Sequence, residues 1–280
     1  MILSDELFGK FIKLIYKHTG LHYEYNKKYF VQKRIEKRAE LLEVETLNEY
    51  FRILKFATDS AEFYRLINEL TVNETYFFRD FPQLRNFAED VLPIVTKEKE
   101  DSKKIKIWCA ACATGEEPYT LFIILQEMLE KPEEWEIQIL ASDINTQVLQ
   151  SAKMGIYESR AIKDVPPEYL KKYFTRRNDK YLVNLNVRKS VTFKRINLMD
   201  EYEMNNINGC DFIFCRNCLI YFDDESRRNV LANFYESMNP GGFMFLGHSE
   251  SVGRISSAYK VKRIGDTITY SRPKYRGGEI

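Results

Sequence analysis

The sequence predicts an α/β protein in which a bundle of helices precedes an open, doubly wound and mostly parallel sheet. Two observations predict this fold class. In the first part of the 280-residue chain, apolar residues recur at helical spacing and no strand-like run interrupts them. From Ile105 onwards, short apolar runs alternate with helical stretches, which is the pattern of a sheet with helices on both faces.

Composition and charge narrow the possible functions. The chain has 42 Lys plus Arg against 41 Asp plus Glu, a net charge of +1, so it lacks the bulk attraction expected of a nucleic-acid binder or an anionic-membrane binder. No apolar run approaches the roughly 20 residues that span a bilayer, and the first residues do not resemble a signal peptide. We therefore expect a soluble, cytoplasmic protein that neither binds nucleic acid nor inserts into membranes. We also expect a monomer, although none of these observations bears on the oligomeric state.

The N-terminal part is predicted to form a small helical bundle. Ser4 can cap a first helix that Gly20 ends, and a second helix is predicted from about Asn26. Thr46 and Ser60 are suitable caps for two more helices. Each of these stretches carries an apolar stripe, so the four helices can bury a common core.

The second part contains the predicted sheet. One more helix is expected from residues 82 to 93, followed by a charged connector. The predicted strands are residues 104–110, 136–143, 190–196, 210–215 and 241–247, with two short ones near Tyr259 and Ile268. The helices between them are predicted at 117–129, 146–154 and 223–238. In such sheets ligands bind beyond the carboxyl ends of the strands, which selects residues 110–118, 142–143, 197–198 and 216–222.

The polar residues at these strand ends indicate the kind of ligand. The first strand is followed by one glycine, Gly115, where a dinucleotide site would have three, and then by Glu116 and Glu117, which would repel a phosphate. The two acids could instead merely stabilise the helix start. Asp143 ends the second strand and can accept from ribose hydroxyls, or it could cap the next helix. Together these acids favour a nucleoside with a cationic tail, such as S-adenosylmethionine.

Five segments carry a resemblance to a known family, in the same order along nearly the whole chain. They are TVNETYFFRD (71–80), IWCAACATGEEPYTL (107–121), ASDINTQVLQSAKMGIY (141–157), INL (196–198) and FCRNCLIYF (214–222). These segments strongly resemble the CheR family, the chemotaxis receptor glutamate O-methyltransferases. The resemblance implies the seven-stranded sheet of S-adenosylmethionine-dependent methyltransferases, with an N-terminal helical bundle and a small β insertion.

The resemblance also implies a domain organisation and an activity. Residues 1–72 would form the receptor-recognition domain, 73–97 a linker segment and helix, and 98–280 the methyltransferase domain, with a β-subdomain at about 173–195. The protein would transfer a methyl group from S-adenosyl-L-methionine to receptor glutamates, leaving S-adenosyl-L-homocysteine. Two alternatives stay open: a methyltransferase of this fold acting on another acceptor, and a signalling module that binds the cofactor without turning it over.

The implied cofactor site begins with the segment that joins the two domains. Asn73, Thr75 and Arg79 match residues that fold over the cofactor in the family. Glu117 matches the acid that holds the methionine end, and Asp143 matches the ribose-binding acid. The remaining implied cofactor residues are Asn197, Leu198, Arg216 and Asn217.

Arg79 and Tyr221 match the polar residues nearest the reacting centre, so they are the predicted catalytic pair. The chemistry needs no general base, because a glutamate with a pKa near 4.3 is more than about 99% ionised at neutral pH. Orientation and controlled desolvation of the carboxylate would carry the rate. We expect Arg79 to position the acceptor rather than to bind its carboxylate tightly.

A basic stretch in the second helix is the candidate receptor-binding surface. Lys27, Arg34 and Arg38 fall on one helical face, and the family's helical domain is thought to meet acidic receptor helices. The alternative is a solvated face balanced by nearby acids. The predicted hairpin around residues 177–180 could also contact the receptor, but it lacks the glycine-rich loop expected of members that capture a tethering peptide.

The cysteines form two C-x-x-C pairs, Cys109 with Cys112 and Cys215 with Cys218. This spacing superficially suggests a four-thiolate zinc site. Both pairs fall inside the cofactor motifs, so we interpret them as buried packing residues and predict no metal. A metal site or a regulatory disulfide is the alternative.

Overall fold

Four helices form the N-terminal bundle of the chain. A computed structural model describes residues 1, 3–56, 61–253, 256–265 and 267–274. The helices are α1 (Asp5–Thr19), α2 (Lys28–Leu41), α3 (Leu47–Phe56) and α4 (Ala61–Leu70), with a 3₁₀ turn at Tyr25–Lys27 before α2. The Ser4 hydroxyl accepts a hydrogen bond from the Leu7 amide at 3.2 Å, and Gly20 ends α1 with a left-handed φ of 69°. Thr46 caps α3 through the Glu49 amide, while the predicted cap Ser60 lies outside the described residues.

The bundle shares one hydrophobic core with a face of the sheet. Phe11, Ile15 and Ile35 are fully buried inside the bundle, and their cluster continues to Trp108 of the first strand and Phe234 of a covering helix. Burial of each large apolar side chain contributes about 1.5–3 kcal/mol. The bundle is therefore packed against the sheet by the same apolar contacts that hold it together.

A long helical segment crosses from the bundle to the sheet. It consists of α5 (Phe81–Asn86), a π-helical turn (Phe87–Val91) and α6 (Leu92–Glu98). The sequence predicted that this helix would end at Pro93, and that prediction is wrong. Pro93 lies in the first turn of α6, directly after the π turn, so the proline falls at an irregularity of the helical hydrogen-bond pattern rather than inside a regular α-helix.

The main sheet has seven strands, as predicted. They are β1 (Lys104–Ala110), β2 (Glu136–Asp143), β6 (Val191–Arg195), β7 (Cys210–Cys215), β8 (Met238–Leu246), β9 (Lys260–Ile264) and β10 (Thr267–Ser271). Their order is β6-β2-β1-β7-β8-β10-β9. β10 pairs antiparallel with both β8 and β9, so it runs in the direction opposite to the other six strands. The helices that connect these strands are α7 (Glu116–Met128), α8 (Thr146–Met154), α11 (Glu201–Asn205) and α12 (Asp224–Ser237).

A small antiparallel sheet is inserted after α8. It contains β3 (Ile156–Glu158), β4 (Phe174–Arg177) and β5 (Lys180–Val183), flanked by α9 (Pro167–Tyr173) and α10 (Leu185–Lys189). The predicted hairpin is present, because Arg177 pairs with Lys180 across the turn. The insertion differs from the predicted span of about 173–195 at both ends. It starts earlier, at Ile156, and Val191–Arg195 pairs with β2 in the main sheet.

Candidate active site

One cleft at the carboxyl ends of the parallel strands brings together the residues predicted for cofactor binding and catalysis. Its space of about 1100 Å³, open to solvent, is close to the roughly 300–1,000 Å³ typical of small-molecule sites. The predicted residues that line it are Asn73, Thr75, Arg79, Glu117, Asp143, Asn197, Leu198, Arg216, Asn217 and Tyr221. Residues far apart in the chain thus meet because their strands are neighbours in the sheet.

The loop after β1 makes its tight turn with only one glycine, because two alanines also adopt left-handed conformations. Ala111 and Ala113 both adopt left-handed conformations, with φ of 68° and 46°, which is uncommon for residues with a side chain. Gly115 has φ of 93°, and a Cβ there would lie 2.8 Å from the Cβ of Ala152. The loop therefore curves tightly around the cleft floor, and only position 115 strictly requires glycine.

Asp143 lies at the bottom of the cleft and is held by two backbone amides. Its carboxylate accepts from the Ala113 amide and from the Asn145 amide, both at 2.9 Å. Burial raises the pKa of Asp143 to about 6, while these amides act in the opposite direction. The cap of α8 is Asn145, whose side chain accepts from the amides of Gln147 and Val148. Asp143 is therefore not the helix cap, and its side chain lines the cleft.

Glu117 forms the second acidic group, and it is paired with Arg216. The Arg216 Nη1 donates to Glu117 Oε1 at 2.8 Å, and the Arg216 side chain is only 5% exposed. Burial raises the pKa of Glu117, and the guanidinium of Arg216 opposes that rise. The neighbouring Glu116 accepts from the Thr114 hydroxyl at 2.7 Å. The two acids thus have separate environments, and Glu117 is the one that lines the cleft.

Arg216 also holds the segment that covers the cleft. Its Nη2 donates to the carbonyl oxygen of Arg79 at 2.8 Å and lies 3.3 Å from the Asp80 carboxylate. Asp80 in turn contacts His248 Nε2 at 2.8 Å. Asp80 was not among the predicted site residues, although it lies inside the 71–80 motif.

Arg79 itself is bonded within the covering segment. Its Nη1 donates to the Glu74 carbonyl at 2.8 Å, and its guanidinium carbon is 5.8 Å from the centre of the Tyr76 ring. The Asn73 amide donates to the Thr71 hydroxyl at 3.2 Å. These local bonds fold residues 71–80 over the cleft and keep Arg79 partly exposed there.

A carboxylate that the sequence analysis missed organises the turn before Tyr221. Glu250 accepts from the amides of Gly247, Asn217 and Ile220 at 2.7, 2.9 and 3.2 Å. A Cβ at Gly247 would lie 2.7 Å from the Glu250 carboxylate, so this contact requires glycine. No pattern in the sequence around Glu250 marked it as a site residue, because its partners are backbone amides from another part of the chain.

Asn197 and Leu198 form the part of the wall that joins the bundle. The Asn197 side chain donates to the His18 carbonyl of α1 at 2.6 Å and accepts from the Met199 amide at 3.1 Å. Leu198 is buried and contributes apolar surface to the cleft. Asn197 therefore links α1 to the sheet as well as lining the cleft.

The basic stripe lies outside this cleft. Arg38 makes a two-point ion pair with Glu62 of α4, at 2.9 and 2.6 Å, and the two side chains are 12% and 8% exposed. Arg34 lies over the Phe30 ring at 3.6 Å, while Lys27 is exposed in the 3₁₀ turn. The prediction that Arg38 is an exposed docking residue is therefore corrected, because its guanidinium is paired with Glu62 inside the bundle. Its partner lies on another helix, not among the nearby acids of α2.

The four motif cysteines are unpaired thiols, and Cys109, Cys112 and Cys215 are buried. Burial raises the pKa of Cys109 and Cys112, which suits packing rather than thiolate chemistry. Among the residues that the structure describes, no group of three or more His, Cys, Asp or Glu side chains could hold a metal ion. Nor does any described helix have the length and apolar character to cross a membrane.

Comparison with known proteins identifies the class and then the family. The family model for the CheR methyltransferase SAM-binding domain matches residues 73–267. The fold and the cleft are thus those of an S-adenosylmethionine-dependent methyltransferase. The model for the CheR all-alpha domain matches residues 6–71. The chain belongs to the CheR family.

Curated relatives match nearly the whole chain. It is 44% identical over 274 residues to chemotaxis protein methyltransferase 2 of Vibrio cholerae, covering 98% of this chain and 95% of the relative. Identity is 34% with the chemotaxis protein methyltransferase of Borreliella burgdorferi, covering 90% and 89%. It is 32% with that of Escherichia coli, covering 96% and 91%. The chain therefore matches chemotaxis methyltransferases along most of their length.

Proposed function

We propose that the protein transfers the methyl group of S-adenosylmethionine to glutamate side chains of chemotaxis receptors, forming methyl esters that serve sensory adaptation. The observation that carries this proposal is the combination of groups in one cleft. Two acids, Asp143 and Glu117, lie deep inside it, and two partly exposed polar groups, Arg79 and Tyr221, line the same space. This arrangement suits a nucleoside with a cationic tail that must meet an anionic acceptor.

The residues present fit S-adenosylmethionine. Asp143 has lone pairs left for the two ribose hydroxyls after accepting its two amides. Glu117, whose pKa burial raises, would gain from a second cationic partner and suits the ammonium group. The apolar surface of Leu198 suits the adenine ring. When bound, the cofactor supplies an electrophilic methyl group on a sulfonium centre.

The chain's own residues then have to orient an acceptor that is already ionised. A glutamate with a pKa near 4.3 needs no base at neutral pH, so the chain contributes position and a partly dry environment. Arg79 can hold the carboxylate near the opening while its bond to the Glu74 carbonyl limits how tightly it binds. The Tyr221 hydroxyl can donate a hydrogen bond to a carboxylate oxygen, since burial raises its pKa and the phenol stays protonated.

The partner would be the cytoplasmic helices of a methyl-accepting receptor. In this proposal residues 1–72 recognise the receptor, residues 73–97 link the parts, and residues 98–280 carry the chemistry. Lys27 and Arg34 remain candidate contacts of the first part. The family match of residues 6–71 to the all-alpha domain supports a separate role for the bundle.

The test is transfer of tritiated methyl groups from S-adenosylmethionine to receptor-containing membranes. Carboxylate esters release their label as methanol in mild alkali, whereas N-methyl groups do not, so alkaline release identifies the bond formed. An Asp143→Ala variant that remains folded serves as the negative control. Alkali-stable label, or label only on small acids, would indicate another acceptor. Cofactor binding without any transfer would indicate a non-catalytic module.

A further inference from the structure

The backbone has a rare conformation on both sides of Arg79. Phe78 and Asp80, the residues before and after it, have φ of 59° and 62°, in the left-handed region. This region is uncommon and costly for residues with a side chain, so the surrounding structure has to hold them in it. The contacts of these two neighbours therefore decide where Arg79 is presented in the cleft.

Phe78 holds the side of the turn that leads into Arg79. Its amide donates to the Thr120 hydroxyl of α7 at 3.2 Å, and its side chain is buried. One residue earlier, the Phe77 amide donates to the Ala161 carbonyl at 2.9 Å. These contacts use backbone amides and an apolar ring, so no charged group takes part on this side.

Asp80 holds the other side of the turn, and it does so through its carboxylate. It occupies the N-cap position of α5, where an aspartate ordinarily accepts from an amide of the first turn, yet its side chain makes no such bond. Its two oxygens lie instead 3.3 Å from Arg216 Nη2 and 2.8 Å from His248 Nε2. The Asp80 side chain is only 10% exposed. A residue suited to capping is thus bonded to two distant parts of the chain.

Arg216 contacts the same turn at a second point. Its Nη2 also donates to the Arg79 carbonyl at 2.8 Å, while its Nη1 donates to Glu117 at 2.8 Å. The guanidinium is a rigid planar group, so contacts made through it have a fixed relative geometry. The turn that carries Arg79 is therefore tied to the acid Glu117 of the cofactor cleft through one buried side chain.

We propose that Asp80 is a positioning residue for methyl transfer, whose carboxylate, held by Arg216 and His248, keeps the turn in the shape that presents Arg79 to the acceptor. This inference rests on the function proposed above, in which Arg79 orients the acceptor carboxylate, and it adds the residue that sets that orientation. Arg79 lines the cleft and Asp80 does not, so Asp80 acts through Arg79 rather than by touching the substrate.

Two substitutions separate the carboxylate from the backbone preference of Asp80. Asparagine tolerates the left-handed region as well as aspartate does, but it has no charge and replaces one acceptor oxygen by an NH2 group. Glycine adopts the left-handed region without strain, but it has no side chain to contact Arg216 or His248. If the backbone conformation alone mattered, both variants would behave like the parent.

The experiment measures receptor methylation and S-adenosylmethionine affinity for the full chain with Asp80→Asn or Asp80→Gly, after urea titrations establish that each variant is folded. We expect kcat to fall about tenfold or more in both, with cofactor affinity within about threefold of the parental value. The matched control is Asp200→Asn, at the N-cap of α11, where the carboxylate accepts from the Glu203 amide at 3.0 Å away from the cleft. Its kcat should be parental.

A double-mutant cycle with Arg79→Ala separates positioning from a general structural role. If Asp80 acts through Arg79, adding Asp80→Asn to Arg79→Ala should lower kcat by less than about twofold more, because the group that Asp80 positions is already gone. A general distortion of the cleft would instead lower kcat again by the full factor.

Each outcome bears on one proposal or on both. Parental kcat in folded Asp80→Asn or Asp80→Gly, beside an impaired Arg79→Ala, overturns the positioning role and leaves the proposed function standing. A full further loss in the Arg79→Ala background, or an equal loss in Asp200→Asn, overturns it as well. Parental turnover of Arg79→Ala removes the role of Arg79 and that of Asp80 with it. A parent that transfers no label to receptors removes the proposed function itself.

Discussion

The ionisation of Asp143 should control cofactor affinity. This carboxylate is buried, and burial raises its pKa to about 6 in the free protein. Ribose hydroxyls donate to the ionised form, so binding favours loss of the proton. Affinity should therefore be full above the free-protein pKa and should fall as the pH drops through about 6.

The size of the effect follows from that pKa. If only the ionised carboxylate binds, the apparent Kd is multiplied by one plus the ratio of protonated to ionised Asp143. This factor is about 1.1 at pH 7 and about 11 at pH 5, the latter equivalent to about 1.4 kcal/mol. The same carboxylate should supply about 1.5–3 kcal/mol of binding at neutral pH, which Asp143→Ala would remove.

Calorimetry with 5′-methylthioadenosine isolates this group, because that ligand has the ribose but lacks the amino-acid end that would contact Glu117. Asp143→Asn should bind more weakly at pH 7 and lose the pH dependence. Glu117→Gln should keep the dependence for this ligand. An affinity that is flat from pH 7.5 to 5 in folded parental protein would refute the assignment of Asp143 to the ribose.

Three further predictions concern other parts of the site and the bundle. Arg79→Ala and Tyr221→Phe should lower methyl transfer more than S-adenosylmethionine affinity, measured by steady-state kinetics beside calorimetry. Arg38→Met should lower the free energy of unfolding by about 1–3 kcal/mol in urea titrations, because it leaves the buried Glu62 with only the Tyr50 hydroxyl at 3.0 Å and the half-exposed Arg65 at 3.6 Å. Lys37→Met removes the exposed ion pair with Glu69 and should change the free energy of unfolding by less than about 1 kcal/mol. Glu250→Gln should lower kcat more than cofactor affinity, because one of the two oxygens that accept from the amides of the turn before Tyr221 becomes an NH2 group, which cannot accept.

Each of these predictions has a result that contradicts it. Equal losses of turnover and affinity would leave Arg79 and Tyr221 as cofactor contacts only. Equal stability of the Arg38 and Lys37 variants would mean that the Glu62 pair adds nothing to the bundle. Parental turnover of Glu250→Gln would show that the other contacts of the turn suffice to hold Tyr221.

The strands and helices with clear signals were predicted well. β1, β2 and β7 have the predicted limits, because each is a buried apolar run that ends where the polar cleft residues begin. β3 was missed because it has only three residues, of which Ile156 and Glu158 are exposed, so no alternation can be recognised. The continuation of the helix past Pro93 was missed because the π turn that accommodates the proline has no sequence signature.

The sequence by itself determined the fold class, the cofactor class and the residues that meet in the cleft. It could do so because strand ends and short motifs carry that information locally. Only the tertiary structure decided the partners of the charged groups. Arg216 joins Glu117 across 99 residues, and Arg38 joins Glu62 across 24, from one helix to another. A charge pattern along one helix shows which side chains share a face, but the neighbouring element decides whether that face is solvent or a buried ion pair.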